Sequence, residues 1–170
     1  MKTSSLTSDR AKELLHYNDS TGWLIWKKTR GLAVKGNRAG SESLMKCGYR
    51  NRHIWVDGKK YLEHRVVWLI VTGEFPKLEI DHLDHDGTNN KFENLREATR
   101  KENGRNRKVN RDNTTGTVGV SWNRFRSRFV ACIRVDGRLI HLGSFKSIDA
   151  AVECRKAANS AYGFHSNHGK

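Results

Sequence analysis

The sequence predicts an α+β fold, in which small antiparallel sheets and short helices occupy separate stretches of the chain. Two Asp-Gly dipeptides, at residues 57–58 and 136–137, lie between runs of alternating residues, which is the pattern of a β-hairpin with a type I′ turn. Serines at positions 8 and 147 precede apolar residues at helical spacing, so each is expected to cap a helix.

The first half of the chain is expected to begin with the short helix that Ser8 caps. A strand over residues 23–27 follows, and then a basic hairpin whose arms are residues 49–56 and 59–63. The apolar run at residues 66–71 fits a buried strand and a buried helix equally well, because periodicity alone cannot separate the two.

A basic, polar run at residues 100–113 contains no aromatic residue, and from its second half onward we place a linker at residues 107–115. Strands are expected at residues 119–126 and 128–135, with a third after the turn at 136–137. A helix from Ser147 would pack against one face of this three-stranded sheet.

Composition limits the classes of function. The 170 residues include 32 Lys and Arg against 18 Asp and Glu, a formal net charge of +14. Such a chain repels itself unless a polyanion neutralises it, so nucleic acid is the leading partner.

No apolar stretch reaches the ~18 residues of a membrane span and the start lacks a signal-peptide core, so we expect a cytoplasmic protein without a membrane partner. The cysteines Cys47, Cys132 and Cys154 form no CxxC pair, which argues against a disulfide framework or a cysteine zinc site.

The stretch from Leu78 to Asn103 contains the residues with the clearest chemistry. Asp81 and His82 are expected at the end of a short strand, where a carboxylate offers a hard oxygen ligand and the adjacent imidazole offers a base. Thr99 and Glu102 form a capping box that would start a helix and place Asn103 one turn inside it. A strand, a loop and a helix would thus bring Asp81, His82 and Asn103 together.

These residues resemble the HNH nuclease motif, the ββα-metal fold, in the form carried by phage and intron-encoded homing endonucleases. The matching residues are His64, Arg65, Trp68, Asp81, His82, Asn89, Asn90, Glu93 to Arg96, Thr99, Arg100, Glu102 and Asn103. The resemblance implies that Asp81 and Asn103 hold one Mg²⁺ or Mn²⁺ ion, that His82 is the general base and that Asn94 braces the loop and helps to orient His82. Zinc is not expected, since oxygen ligands suit a hard ion.

Three other polar residues have structural interpretations at this point. His64 is expected to be a packed, hydrogen-bonded residue, and a phosphate contact or a place beside the active site is the alternative. Asn89 and Asn90 are expected to form turns.

The segment after Gly116 resembles a second family, the AP2 DNA-binding domain. The matching residues are Gly119, Val120, Trp122, Phe129, Ala131, Ile133, His141 to Phe145, Ala150, Ala151, Ala157 and Ala158. In that family a three-stranded sheet lies in the major groove, which implies DNA contacts from Ser121, Asn123, Arg124, Arg126, Arg128, Arg134 and His141. Trp122 fits a core position and a DNA-facing position equally well, and Cys132 stands where a polar contact residue is expected. The linker cations expected to follow the DNA backbone are Arg105, Arg107, Lys108 and Arg111.

The sequence as a whole therefore predicts a metal-dependent, site-directed endonuclease of the homing type that cuts double-stranded DNA. Its predicted parts are an HNH domain at residues 1–106 with the ββα-metal core at about 78–106, the linker, and an AP2-like domain at 116–170. A monomer acting in a phage-infected bacterial host without a small-molecule cofactor is expected. Two alternatives stay open: a regulator whose HNH motif only binds DNA, and an RNA-binding protein favoured by charge alone.

Overall fold

A computed structural model describes residues 5–45, 48–106, 109, 112–166 and 168–169. The chain divides into two compact units, Met1–Thr99 and Arg100–Lys170. This division concerns compactness only, so the predicted domain limits at residues 106 and 116 stay predictions. The mixture of helices and small antiparallel sheets confirms the predicted α+β class.

The first unit is built from short helices and strands around one hydrophobic core. Its elements in chain order are α1 (Ser8–Leu14), β1 (Leu15–Asn18), β2 (Trp23–Trp26), β3 (Ser41–Leu44), β4 (Arg50–Val56), β5 (Lys59–Leu62), α2 (Glu63–Thr72), β6 (Glu79–His82) and β7 (Leu95–Ala98). All of its strand pairs are antiparallel: β1 with β2, β3 with β4, β4 with β5, and β6 with β7.

The N-cap of helix α1 lies one residue earlier than predicted. Thr7 has extended backbone and its hydroxyl accepts a hydrogen bond from the Arg10 amide at 3.2 Å, so Thr7 is the N-cap. The Ser8 hydroxyl instead donates to the Leu69 carbonyl at 3.2 Å. The prediction that Ser8 caps this helix was therefore wrong, because a packing contact with α2 takes its side chain.

The hairpin of β4 and β5 has the predicted type I′ turn. Asp57 and Gly58 both have positive φ, 47° and 77°, which the right-handed twist of the paired strands favours. The apolar run at residues 66–71 is helical and lies within α2, which ends at Gly73 in the left-handed region. Val66 and Val67 are completely buried in the core of this unit.

The second unit contains α3 (Arg100–Gly104), β8 (Val120–Asn123), β9 (Arg128–Val135), β10 (Arg138–Phe145) and α4 (Ile148–Ala161). The strands form an antiparallel sheet in the order β8, β9, β10. Helix α4 is capped by the Ser147 hydroxyl, which accepts from the Ala150 amide at 3.3 Å. Within the described residues, the predicted sheet of three strands packed on one helix is confirmed.

The predicted strand at residues 119–126 is shorter than expected. Strand β8 ends at Asn123, whose side-chain oxygen accepts from the Arg126 amide at 3.0 Å, and Ser127 has a φ of 46°. An Asn side chain that bonds the backbone three residues on favours a turn over a strand. Arg124 and Arg126 are therefore turn residues.

No helix in the part of the chain that the structure describes is long and apolar enough to cross a membrane.

Candidate active site

The His82 ring is the centre of a buried polar cluster at the end of β6. The residue is 3% exposed, and its Nε2 lies 3.1 Å from the side-chain oxygen of Asn90. Its Nδ1 lies 3.4 Å from the hydroxyl of Tyr49, just before β4. A side chain at Gly87 would overlap that hydroxyl, so glycine there lets Tyr49 approach the loop after His82.

Asp81 precedes His82 in β6 and is 6% exposed. Its Oδ2 accepts hydrogen bonds from Nε of Arg96 at 3.0 Å and from Nη2 of Arg96 at 2.8 Å. Asp81 and Arg96 are directly opposite in the antiparallel pairing of β6 with β7. The cross-strand cation therefore holds the Asp81 carboxylate in place.

Asn94 ties together the loop that follows His82. Its side-chain nitrogen donates to Oδ1 of Asp84 and to the carbonyl of Asn89, both at 2.9 Å, and its oxygen accepts from the Asp84 amide at 3.1 Å. These bonds agree with the expected bracing of the loop, while the expected orientation of His82 by Asn94 stays a prediction.

His64, in the first turn of α2, packs edge-on against His82 with ring centroids 5.1 Å apart. Its Nδ1 is buried and makes no hydrogen bond within the described residues, so the expected packing is confirmed while the expected hydrogen bonding stays a prediction. Burial, reinforced by the nearby His82, lowers the pKa of His64 to about 3. His64 is thus a neutral ring at ordinary pH.

The cluster carries a negative electrostatic field. Burial and then the carboxylates of Asp81, Asp86 and Asp84 raise the pKa of Tyr49 to about 12, so its hydroxyl keeps its proton. Burial acts to raise the pKa of Asp84, but hydrogen bonds from Asn89, the Asp86 amide and Asn94 outweigh it and lower that pKa. The Asp84 carboxylate is therefore charged and attracts a cation.

The donor set fits a hard divalent ion. Carboxylate and amide oxygens are the ligands that Mg²⁺ prefers, and it commonly takes one or two carboxylates together with water and substrate phosphates. Among the residues that the structure describes, no three His, Cys, Asp or Glu side chains are grouped as a metal site. Asn103 lies in α3, in the second compact unit, so its pairing with Asp81 stays a prediction.

The residues predicted to contact DNA fall into three groups in the second unit. Those on the sheet face opposite α4, as the strand register places them, are Ser121, Asn123, Arg128, Arg134 and His141. Arg124 and Arg126 are exposed in the turn between β8 and β9. Arg105 follows α3 with its guanidinium 5.3 Å from the Phe164 ring, while Arg107, Lys108 and Arg111 lie outside the described residues.

Trp122 and Cys132 have definite positions in this sheet. Trp122 pairs with Phe129 in the register and their rings are 4.7 Å apart, on the face that carries the buried Val120 and Ala131. Trp122 thus lies on the helix side at the edge of the sheet. Cys132 is on the opposite face, with its sulfur 3.8 Å from Nδ1 of His141. Cys47 lies outside the described residues.

Comparison with known proteins shows what one part of the chain is similar to. Residues 61–105 match the family model for HNH endonucleases. This stretch of the chain is therefore similar to an HNH endonuclease domain.

One stretch of 76 residues is 37% identical to Protein 3.8 of Escherichia phage T7. The match covers 44% of this chain and 63% of that relative, so the chain spans less than two thirds of the curated protein it resembles. No solved structure matches the chain.

Sequence reasoning missed four residues that surround the candidate site. Arg96 was part of the motif, but its pairing with Asp81 follows only once β6 and β7 are in register. Asn90 was interpreted as a turn former, whereas it is 1% exposed and directed at His82. His64 belongs to the matched motif, but its contact with His82 follows only from the packing of α2. Tyr49 comes from a distant segment, and no local pattern connects it to His82.

Proposed function

We propose that this chain is a metal-dependent endonuclease that cuts double-stranded DNA at a selected site, as homing endonucleases do. The observation that carries the proposal is the buried Asp81-His82 pair within the residues that match HNH endonucleases. A base and a hard oxygen ligand are thereby held side by side on a strand end. No feature of the described residues favours a single-stranded RNA partner over duplex DNA.

His82 is the general base of this reaction. Phosphodiester hydrolysis requires that a water molecule lose a proton as its oxygen bonds to phosphorus and the bond to the 3′ oxygen breaks. A neutral imidazole accepts that proton. Three groups packed around the His82 ring, His64, Asn90 and Tyr49, are neutral, so none of them adds a positive charge beside it.

Asp81 and Asn103 would hold one divalent ion, Mg²⁺ or Mn²⁺. When bound, that ion supplies charge stabilisation to the leaving oxygen and the phosphate. Arg96 keeps the Asp81 carboxylate oriented, and Asn94 keeps the loop between His82 and β7 in one conformation.

Site selection belongs to the second unit. Residues 100–170 contain fifteen Lys and Arg against five Asp and Glu, so this unit carries +10 of the formal net charge of +14. Its AP2-like sheet would place Arg128, Arg134 and His141 against the major groove, where Arg reads guanine or binds phosphate. The phage T7 relative supports a role in a phage-infected bacterial cell.

The test is a cleavage assay on a duplex DNA library with Mg²⁺, with the ends mapped on both strands. We expect cuts at a preferred site, no cleavage in EDTA, and recovery when Mg²⁺ or Mn²⁺ is added back. Asp81→Ala is expected to be inactive at ordinary metal concentrations. Full activity in chelator would refute the metal role, and tight DNA binding without any cut would favour the non-catalytic regulator.

A further inference from the structure

The turn between β8 and β9 presents an aromatic ring to solvent. This turn covers residues 124–127, and Phe125 near its middle has a relative exposure of 101%. Turn positions are most often filled by Gly, Asn, Asp, Ser or Pro, because their backbone or side chains favour the turn itself. A fully exposed phenylalanine contributes nothing to a core, so its place at this tip calls for another explanation.

The backbone that carries Phe125 is tied to both strands. The side-chain oxygen of Asn123 accepts a hydrogen bond from the Arg126 amide at 3.0 Å, which closes the turn across Phe125. Ser127 then adopts a φ of 46° and leads the chain into β9. Directly behind the turn, two aromatic rings 4.7 Å apart pair across β8 and β9. The ring of Phe125 is therefore carried by a braced hairpin tip.

Positive charge is concentrated around this ring. Arg124 and Arg126 flank Phe125 and are exposed, and Arg128 begins β9 on the sheet face opposite α4. Residues 113–135 contain four arginines and no aspartate or glutamate. The tip thus combines one apolar ring with several cations, which suits a polyanion that also offers apolar surface.

Exposure alone does not indicate a ligand, as the turn at Leu32 illustrates. Leu32 is as exposed as Phe125, at 104%, and follows Gly31 in a turn of the first unit. The cation beside that turn, Arg30, is paired with Asp57 at 2.9 Å. Isolated apolar residues on a surface are common and need no partner. The combination of an exposed ring and flanking cations on one tip is what points to a ligand.

Duplex DNA offers both kinds of surface that the tip requires. Its phosphates attract arginine, and the release of counterions favours that contact. The faces of its base pairs are apolar and accept an aromatic ring once two neighbouring pairs separate. The major groove also admits a two-stranded β-ribbon, so a hairpin tip fits its width.

The position of the tip favours DNA over a lipid surface. Arg128 belongs both to the tip and to the sheet face proposed to contact DNA, so one duplex can reach both. An anionic membrane also attracts cations, but stable binding to it requires a larger apolar area, such as one face of an amphipathic helix. A single ring beside arginines therefore suits stacked bases better than a bilayer.

We propose that Phe125 is a wedge that inserts between two adjacent base pairs of the bound duplex, while Arg124 and Arg126 bind the phosphates beside it. Such an insertion unstacks one base step and kinks the duplex. Pyrimidine–purine steps such as TA and CA unstack most easily, so the wedge adds a preference for such a step without hydrogen bonds to its bases. The wedge role rests on the proposed binding of duplex DNA by the second unit, but it does not require cleavage.

The test uses the full chain in EDTA, so that binding is measured without cleavage. Duplexes that the chain binds are selected from a random-sequence library, and 2-aminopurine is then placed at successive positions of a selected duplex. Its fluorescence rises where stacking is lost, and energy transfer between dyes on the duplex ends reports bending. With the wild type we expect one step to brighten and the duplex to bend by about 20° to 90°.

Substitution of Phe125 tests whether the ring causes these changes. In Phe125→Ala we expect both signals to disappear and the affinity to fall about 5-fold to 50-fold, the range that base–aromatic stacking typically contributes. Phe125→Trp keeps a flat ring and is expected to retain the bend. Because Phe125 is fully exposed, neither change removes packing, and urea unfolding is expected to match the wild type.

Leu32→Ala is the matched control. It removes an apolar side chain of equal exposure from a turn whose neighbouring cation is already paired. This variant is expected to alter neither the affinity nor the bend.

The DNA can be changed as well as the protein. Replacing the brightened step by an AA step within a stiff A-tract should weaken binding by the wild type several-fold. The same replacement should hardly affect Phe125→Ala, because a chain without the wedge does not separate that step. Equal losses for the two proteins would mean that Phe125 does not act at this step, and the wedge role would fail.

The remaining outcomes separate the wedge from the proposed function. Tight binding without a brightened step, wild-type affinity and bend in Phe125→Ala, or an equal loss in Leu32→Ala would overturn the wedge role and leave the endonuclease proposal standing. Loss of binding to phosphatidylglycerol vesicles in Phe125→Ala, with DNA binding unchanged, would assign the ring to a membrane surface instead. If the wild type binds no duplex, both proposals fail. If it binds and kinks a duplex but cuts none when Mg²⁺ is added, the endonuclease proposal fails and the wedge role stands.

Discussion

The rings of His82 and His64 are in contact, but the two residues have different expected roles, and single substitutions distinguish these roles. His82→Ala removes the proposed base but no group proposed to bind phosphate. We expect cleavage to fall by ~10² to 10⁴, the usual contribution of a general base, with DNA affinity unchanged. Single-turnover cleavage and a filter-binding assay measure the two quantities separately.

His85→Ala is the control for this substitution, because His85 lies three residues further along in the same loop, at a φ of 65°. It is expected to keep most of the activity. Undiminished cleavage by His82→Ala would exclude His82 as the base.

His64 is expected to make the fold sensitive to acid. Its pKa is about 3 in the folded chain, against about 6.5 for an unfolded histidine. Between these values the unfolded chain binds a proton that the folded chain does not, so the free energy of unfolding falls as pH drops from about 6.5 towards 3. The slope from this residue is at most about 1.4 kcal/mol per pH unit.

Urea unfolding at several pH values measures this slope. His64→Phe keeps a ring beside His82 and is expected to lose less stability on acidification than the wild type. His16→Phe, at an exposed position of β1, serves as the control and should retain the wild-type slope. Equal slopes for His64→Phe and the wild type would contradict this assignment.

At the scale of elements, the turn between β1 and β2 is expected to support the loop that carries Asn90. Gly22 and Gly36 both have left-handed φ, 73° and 85°, so alanine costs about 1 kcal/mol of backbone strain at either site. Only at Gly22 would the added carbon overlap the Lys91 backbone, whereas at Gly36 nothing lies within 4 Å.

Gly22→Ala is therefore expected to lose about 1 to 3 kcal/mol more stability than Gly36→Ala in urea unfolding. It should also slow cleavage, because the overlap displaces the backbone beside Asn90. Equal losses of stability in the two variants would show that the loop moves away from Gly22 without cost.

Elements also differ in how far their sequence determines them. Both Asp-Gly turns were predictable because a type I′ turn needs positive φ at two consecutive residues, and Asp-Gly is a dipeptide that adopts this conformation readily. The run at residues 66–71 was not, because continuous burial removes the periodicity that separates a helix from a strand. Its helical state depends on packing against α1 and the core, and Gly73 ends it.

At the scale of the whole molecule, the charge of the second unit is expected to set DNA affinity. Arg134→Gln removes a cation from the sheet face opposite α4. If Arg134 binds a phosphate, the slope of log K against log salt should shrink by about 0.9, and if it reads a base, site preference should weaken at nearly constant slope. Binding titrations at several salt concentrations distinguish the two roles.

Arg138→Gln is the matched control, because Arg138 is exposed but the register places it on the α4 side of the sheet. It loses the same charge and should alter binding less. If both variants lost affinity equally, net charge rather than the sheet face would determine binding, and the AP2-like proposal would fail.

The sequence by itself determined the features that are encoded within a few consecutive residues: the hairpin turns, the Ser147 cap, the strand end at Asp81-His82 and the basic character of residues 100–170. The tertiary structure decided which distant residues meet. Arg96 reaches Asp81 through strand register, and His64, Asn90 and Tyr49 approach His82 from three separate segments. The physical reason is that a turn or cap is specified by local backbone and side-chain geometry, whereas a buried polar cluster forms only after the core has packed these segments together.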